Sequence, residues 1–330
     1  MMMNLTLSQA AEGFILAKEV AGCSPHTIAS YELALRRLKE FFSPGDLLTN
    51  LTADDVRAFI RHLQTSEFPQ PGAVERPPKT LSSKTVRNIH TALSSLWTWA
   101  VEEGYAKVHV VRAVTPPKPE APQIETLTEE QIRAILAAVD HSAPWKNSPN
   151  TRCTRPRLLR LRDRATILFL LDTGVRASEL VNLTLADVDL RAGTVQVRGK
   201  SRMGSGQGKQ RTVYLGKTSR KALWQYLTAR DEKEKAAPLF ATLEGRKQDR
   251  RHLGRHLSRL GERAGVPRVY PHRFRHTFAL NFLRQLPNIY ALQRLMGHSD
   301  LKMMRRYLAL AQADCAAAHR AASPVDNWCL

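Results

Sequence analysis

Pro271-His272-Arg273-Phe274-Arg275-His276, followed by Gly297-His298 and then Arg306-Tyr307, is the stretch on which the reading of this 330-residue chain turns. It sets imidazoles, a guanidinium and a phenol along about three dozen residues of helix-favouring sequence. His272 and Arg275 are three apart, so a helix puts them on one face. None of these groups favours hydride transfer or acyl transfer. Together they suit attack by a tyrosine on a phosphate. A free tyrosine has a pKa of about 10, so only about a thousandth is phenolate at neutral pH. Tyr307 therefore needs cations and a proton acceptor beside it. Cleaving a phosphodiester also requires charge neutralisation on the non-bridging oxygens and a proton for the leaving oxygen.

Candidates for the missing groups lie upstream. In Leu171-Asp172-Thr173-Gly174-Val175-Arg176-Ala177-Ser178-Glu179-Leu180, Gly174 permits a tight turn and Arg176 stands where a helix would begin. Helix N-termini favour anions, so an arginine there is well placed for a phosphate. Two guanidiniums can fork onto two non-bridging oxygens, which lysine does less well. Lys200 follows the β-favouring run Thr194–Arg198 and opens a Gly-, Ser- and Lys-rich hairpin loop that extends to Gln210. From there it could reach a leaving 5′ oxygen. Singly, each residue has an ordinary role: Arg176 as a surface ion-pair partner, Lys200 as a solvated loop residue, Tyr307 as a half-buried helix residue. His272 and His276 have the i, i+4 spacing of a zinc pair, but Arg273-Phe274-Arg275 between them lacks the glutamate of an H-E-x-x-H motif, and the cationic setting opposes a dication.

The rest of the chain sets the frame. Lys and Arg total 50 against 30 Asp and Glu, a net charge of +20, which points to a polyanionic partner, nucleic acid before an anionic membrane. No apolar run approaches the roughly 20 residues that span a bilayer, and the start of the chain lacks the pattern of a signal peptide. The four cysteines, Cys23, Cys153, Cys315 and Cys329, have neither metal nor redox spacing and read as free thiols in a reducing cytoplasm. Residues 1–114 read as a helical domain. Ser24-Pro25 starts one helix with Ile28, Tyr31, Leu35, Leu38 and Phe42 on its stripe. Thr52 caps a second with Val56, Phe59, Ile60 and Leu63, and Ser82 or Ser83 opens a third with Val86, Ile89, Leu93, Leu96, Trp97 and Val101, ended by Gly104. Residues 115–126, with four prolines, read as a stiff linker. Residues 127–330 open on a capping box, Thr128 to Gln131, and read as helical apart from a β-hairpin built from 194–198 and 211–215. No role is assigned to the loop from Asp140 to Arg157.

Taken in order, four segments carry a resemblance. Thr173-Gly174-Val175-Arg176-Ala177-Ser178-Glu179-Leu180, Val197-Arg198-Gly199-Lys200, Pro271 to Ala279, and Leu295-Met296-Gly297-His298-Ser299-Asp300 with Tyr307 nine residues after His298 resemble the boxes of the tyrosine recombinase family, which includes phage integrases and Xer-type and Cre-like enzymes. The resemblance implies a mainly α fold with a small β-sheet in the catalytic domain, preceded by a helical, SAM-like core-binding domain. It implies site-specific DNA recombination through a 3′-phosphotyrosyl link and a four-way junction. Carried over residue by residue, it implies that Tyr307 attacks the phosphate, Arg176 and Arg275 clamp its oxygens, and Lys200 is the acid for the 5′ hydroxyl. It also implies that His272 takes the tyrosine proton, His298 hydrogen-bonds the phosphate and Glu179 braces the site from behind. Neither metal nor cofactor is implied. The hairpin after Lys200 is longer than the family's usual loop, which leaves Lys209 as the alternative acid. Met303-Met304 stand where small hydroxyl residues are frequent. By resemblance the chain looks like the simpler two-domain type, without the arm-binding domain of the larger phage integrases.

The expected partner is double-stranded DNA, bound through basic clusters at 152–164, at 246–259, which reads as one helix, and in the first domain at Arg57, Arg61, Lys84 and Arg87. The expected assembly is a homotetramer on synapsed DNA, and the expected location is the cytoplasm, on the nucleoid. Relaxation of supercoils in the manner of a type IB topoisomerase, and DNA binding without catalysis, are the competing functions. Trp328 and Leu330 in the tail have no obvious place in their own core, and the resemblance implies docking on a neighbouring protomer. Deleting residues 323–330 is therefore expected to leave DNA binding intact in a mobility-shift assay while lowering the yield of synaptic complexes.

Overall fold

The computed structural model describes residues 4–69, 77–119, 124–140, 157–199, 210–297, 306–308 and 323. They divide into two compact units, one ending before residue 123 and the other starting there.

The first unit is built from α1 (Leu7–Val20), α2 (Pro25–Phe41), α3 (Ala53–Thr65) and α4 (Ser83–Glu102), with a small antiparallel ribbon of β1 (Glu67–Phe68) and β2 (Lys79–Thr80). The helix starts follow from local chemistry. Thr6, Ser24, Thr52 and Ser82 each accept a backbone N–H of the first turn on the side-chain oxygen, and Thr6 and Thr52 complete capping boxes with Gln9 and Asp55. The apolar stripes meet in one core of Phe14, Leu38, Phe59, Leu63, Leu93 and Trp97. Val101, read onto the α4 stripe, is exposed instead, although Trp99 and Ala100 in the same last turn are buried in the core.

The second unit contains α5 (Glu129–Val139), α6 (Arg157–Thr173), α7 (Ala177–Leu180), the antiparallel sheet β3 (Val188–Asp189), β4 (Thr194–Arg198) and β5 (Gln210–Tyr214), then α8 (Lys217–Arg230), α9 (Arg250–Arg263), α10 (Pro271–Gln285) and α11 (Ile289–Met296). The fold is thus mainly helical with small sheets. Helix α6 packs against both α8 and α10. On β4, Val195 and Val197 point into the core while Gln196 and Arg198 point out, the period-two pattern of a half-buried strand. The register pairs Val197 with Arg211 and Arg198 with Gln210, so β4 and β5 are the two arms on either side of Lys200 in the sequence.

Two expectations about basic residues change. Arg162 is buried, bonded through Nε and Nη2 to Asp163 and through Nη1 to the Ala241 carbonyl, so it anchors α6 to a loop and does not face DNA. Arg246 and Lys247 precede α9 and are not part of it, since Asp249 caps that helix and supplies the acceptor its first N–H groups need. The loop at 141–156 lies outside the described residues.

The first unit's core has no slack at Leu93, which is fully buried. Leu93→Ala is expected to cost about 2–5 kcal/mol, read as a lower urea midpoint with an unchanged slope.

Candidate active site

Helix α6 ends at Thr173, and the chain turns through Gly174 at φ +60. An added Cβ at Gly174 would stand 2.3 Å from the Phe278 ring of α10, so only glycine lets these two segments touch. The turn delivers Arg176 as the N-cap of α7, and the Arg176 backbone N–H donates to Glu179 Oε2 at 2.8 Å. The Arg176 guanidinium returns on the other oxygen, Nη1 to Oε1 at 2.9 Å. Arg211, from β5, completes the set: Nη1 to Glu179 Oε1 at 3.0 Å and Nη2 to Oε2 at 2.7 Å. Burial alone would raise the Glu179 carboxyl. The hydrogen bonds from Arg211 and the Arg176 N–H, with the two guanidinium charges, outweigh it and bring the pKa down to about 2.

Pro271 opens α10 at its first position, where its missing N–H costs nothing. The helix then presents His272, Arg275 and His276. Arg275 is 3% exposed, and it donates from Nη1 to the Gly174 carbonyl at 2.5 Å and from Nη2 to the Met296 carbonyl at 2.7 Å. One side chain thus ties α10 both to the turn before Arg176 and to the C-terminal end of α11. Burial, then the charge of Arg176, pull its pKa down to about 9, which is still protonated at neutral pH. Although the His272 ring reaches solvent, desolvation by the surrounding chain holds it below the ordinary histidine range, and Arg275, Arg176 and Arg250 push the same way.

Tyr307 is 1% exposed and packs with Ala279, Leu283, Leu292 and Met296. Its hydroxyl lies 2.5 Å from His276 Nδ1. Burial raises the phenol above its ordinary value against the lowering charges of Arg275 and Arg306. Burial, then His272, Arg275 and Arg306, lower His276 to about 4. Both groups are therefore neutral at pH 7, and the phenol O–H can donate to the imidazole.

Of the residues singled out in the sequence, Arg176, His272, Arg275 and Tyr307 converge here, with Glu179 behind them. The proton-acceptor role was placed on His272, yet the hydroxyl of Tyr307 meets His276, and the two histidine rings stand 6.3 Å apart along α10. Lys200, its alternative Lys209, His298 and Met303-Met304 lie outside the described residues. Two residues at the site stand outside the roles the sequence suggests. In the sequence His276 reads as half of a zinc pair, although its i, i+4 spacing from His272 already puts it on the same helix face. Arg211 read as one residue of a strand, and nothing in its neighbourhood of sequence tells which carboxylate it meets. Among the described residues no cluster of three or more His, Cys, Asp or Glu side chains could hold a metal ion.

The Glu179 carboxyl gives a sign-defined pH effect. Its pKa is about 2 in the fold against an ordinary 4.5, so its stabilisation is complete above pH 4.5 and is lost as pH falls toward 2. The expected size is on the order of 2 kcal/mol after allowance for solvent screening. In urea melts, Glu179→Gln should be less stable than the wild type at pH 6, and the difference should shrink steadily between pH 4.5 and 2.

The geometry can be set beside known proteins. Residues 125–314, over half of the chain, match the profile of the phage integrase family, and residues 11–107 match the phage integrase N-terminal SAM-like domain. Among curated proteins, the tyrosine recombinase XerC of Pelobacter propionicus is 28% identical over 290 residues, covering 86% of this chain and 84% of that one. Among solved structures, the Tn1549 transposon integrase in complex with a circular intermediate DNA superposes with a TM-score of 0.72 at 19% identity, over 96% of this chain and 99% of the other. The XerH site-specific recombinase bound to a palindromic difH substrate gives 0.69 at 21% identity, over 97% and 85%. These two likenesses concern the fold. With the profile spanning the whole site, from the turn at Gly174 to Tyr307, the chain belongs to the phage integrase family, the tyrosine recombinases.

Proposed function

We propose that this protein cuts and rejoins double-stranded DNA at a defined site, with Tyr307 as the nucleophile. The observation that carries the reading is the burial of the Tyr307 hydroxyl against His276, within reach of the Arg275 charge, in a cluster whose cations outnumber its one carboxylate. A phosphodiester brings the missing negative charge. Arg176 and Arg275 hold its non-bridging oxygens, as two forked donors hold an oxyanion best. The Tyr307 oxygen then bonds to phosphorus and the bond to the 5′ oxygen breaks. Lys200 gives the 5′ oxygen its proton, and His298 bonds the phosphate. The phenol proton passes to the histidine pair, His276 by contact and His272 beside it. The tyrosyl ester keeps the bond energy, so the reverse attack by a 5′ hydroxyl reseals the strand without a cofactor.

The chain's relatives support this reading, being named tyrosine recombinases, as do its solved neighbours, whose structures contain DNA. So does the charge of +20, which suits a polyanion. Two such exchanges between paired sites require several protomers, and we propose a homotetramer on synapsed DNA, working on the nucleoid in the cytoplasm. No helix among the described residues is long and apolar enough to cross a membrane.

The test is covalent trapping. With a nicked cognate duplex, which lets the short 5′ fragment diffuse away, the wild type is expected to accumulate a protein–DNA adduct stable to denaturation. Tyr307→Phe should bind the same DNA within about twofold, because its ring still fills the buried site, and give no adduct. An adduct with the variant would remove Tyr307 from the role. On a supercoiled plasmid that carries the site, relaxation alone, with no exchange between two duplexes, would replace recombination by topoisomerase action.

A further inference from the structure

Among the residues around the site, Arg211 carries the most contacts for which the chemistry above has no use. Its guanidinium is forked onto both oxygens of Glu179, at 3.0 and 2.7 Å, and its Nε donates to the Leu295 carbonyl at 2.7 Å. All three nitrogens are thus engaged, on a side chain only 10% exposed. The Leu295 carbonyl is next to that of Met296, which Arg275 holds. Gly297 follows in the left-handed conformation, and a Cβ there would stand 2.9 Å from Arg211 Nη1, so the turn that leads the chain into His298 is folded directly over this guanidinium. In the other direction Glu179 holds Arg176 twice, through the backbone N–H and through Nη1. Arg211 stands on β5 at the exit of the hairpin whose entry carries Lys200. The bonds form a closed circuit: Arg176, Glu179, Arg211, the end of α11, Arg275, the Gly174 carbonyl, and back to Arg176 two residues on.

We infer that Arg211 is a positioning residue for strand cleavage: through Glu179 it sets the angle at which Arg176 meets the phosphate, and it locks that angle to the β-hairpin and to the turn before His298. The inference rests on the proposed phosphoryl transfer at Tyr307. Glu179 alone could not do this. Without Arg211 the carboxylate would keep one fixed bond, from the Arg176 backbone N–H to Oε2, and its other oxygen would follow the flexible Arg176 side chain, whereas a planar fork from a strand fixes both oxygens at once. Lysine is a point donor with no fork, and cannot serve two oxygens and a carbonyl in these directions. A misplacement of about one ångström in such a group can cost roughly a hundredfold in rate.

The experiment compares two substrates within one preparation of protein. Nicked duplexes carry either an ordinary phosphodiester at the cleavage site or a methylphosphonate, which lacks the charge of one non-bridging oxygen, each diastereomer tested separately. Arg176→Ala identifies the diastereomer on which the loss of Arg176 matters least. Arg211→Lys is expected to bind DNA as the wild type does, to form adduct roughly 10- to 100-fold more slowly on the phosphodiester, and to lose less than about threefold on that methylphosphonate. The ratio of the two rates does not depend on how much of the variant is folded, so a stability defect cannot imitate the result. Equal slowing on both substrates would make Arg211 a structural residue only, and wild-type rates on both would leave it no role; either overturns the inference. Failure of the underlying reading would look different, as the absence of any Tyr307-dependent adduct with the wild-type protein on the phosphodiester.

Discussion

One buried carboxylate organises this site. Glu179 lies between Arg176 and Arg211, with Arg275 bonded to the carbonyl two residues before Arg176. Three guanidiniums packed together would repel, and burial of Arg275 already draws its pKa down to about 9. Glu179 offsets part of that repulsion and is held ionised at about 2 in return. It does not neutralise the cluster. The surplus of positive charge, kept in place by packing, is what a phosphate would relieve. A fully compensated set of ion pairs would be more comfortable and would have no reason to take up an anion.

The tyrosine is prepared differently. Its hydroxyl is dry, bonded to a histidine whose pKa has fallen to about 4, while burial raises its own above the ordinary phenol value. Moving the proton across that gap is strongly uphill in this arrangement. The phenol therefore keeps its proton until the electrostatics change. An arriving phosphate changes them in the useful direction, since a negative charge beside His272 and His276 raises both imidazoles toward the range in which they accept protons. The cations that depress the histidines are the same ones that would bind the phosphate. In the proposed reaction, substrate binding and activation of the nucleophile would be coupled through one set of charges.

Much of this was legible in the chain. Ser24-Pro25, Thr52 with Asp55, and Thr128 with Gln131 are start signals that act over three residues, and each opens a helix where it was read. The valines of β4 alternate as a half-buried strand must. Arg176, His272, Arg275 and Tyr307 were singled out because phosphoryl transfer needs their groups. Misjudged residues each had at least one partner far away in sequence. Arg162 looked like one more member of a basic run until Asp163 and a carbonyl 79 residues on buried it. His276 gained its meaning from a tyrosine 31 residues downstream, and Arg211 from a glutamate 32 residues upstream.

The sequence alone determined the helical fold, the basic character and the groups proposed for catalysis, because capping, periodicity and charge act locally or add up over the whole chain. Tertiary structure alone decided which histidine touches the tyrosine, which arginines share the buried carboxylate, and why Gly174 and Gly297 must lack a side chain. Those outcomes depend on close approach between segments distant along the chain, where an added Cβ would stand 2.3 Å from Phe278 or 2.9 Å from Arg211, and on a desolvation that neither partner carries in its own stretch of sequence.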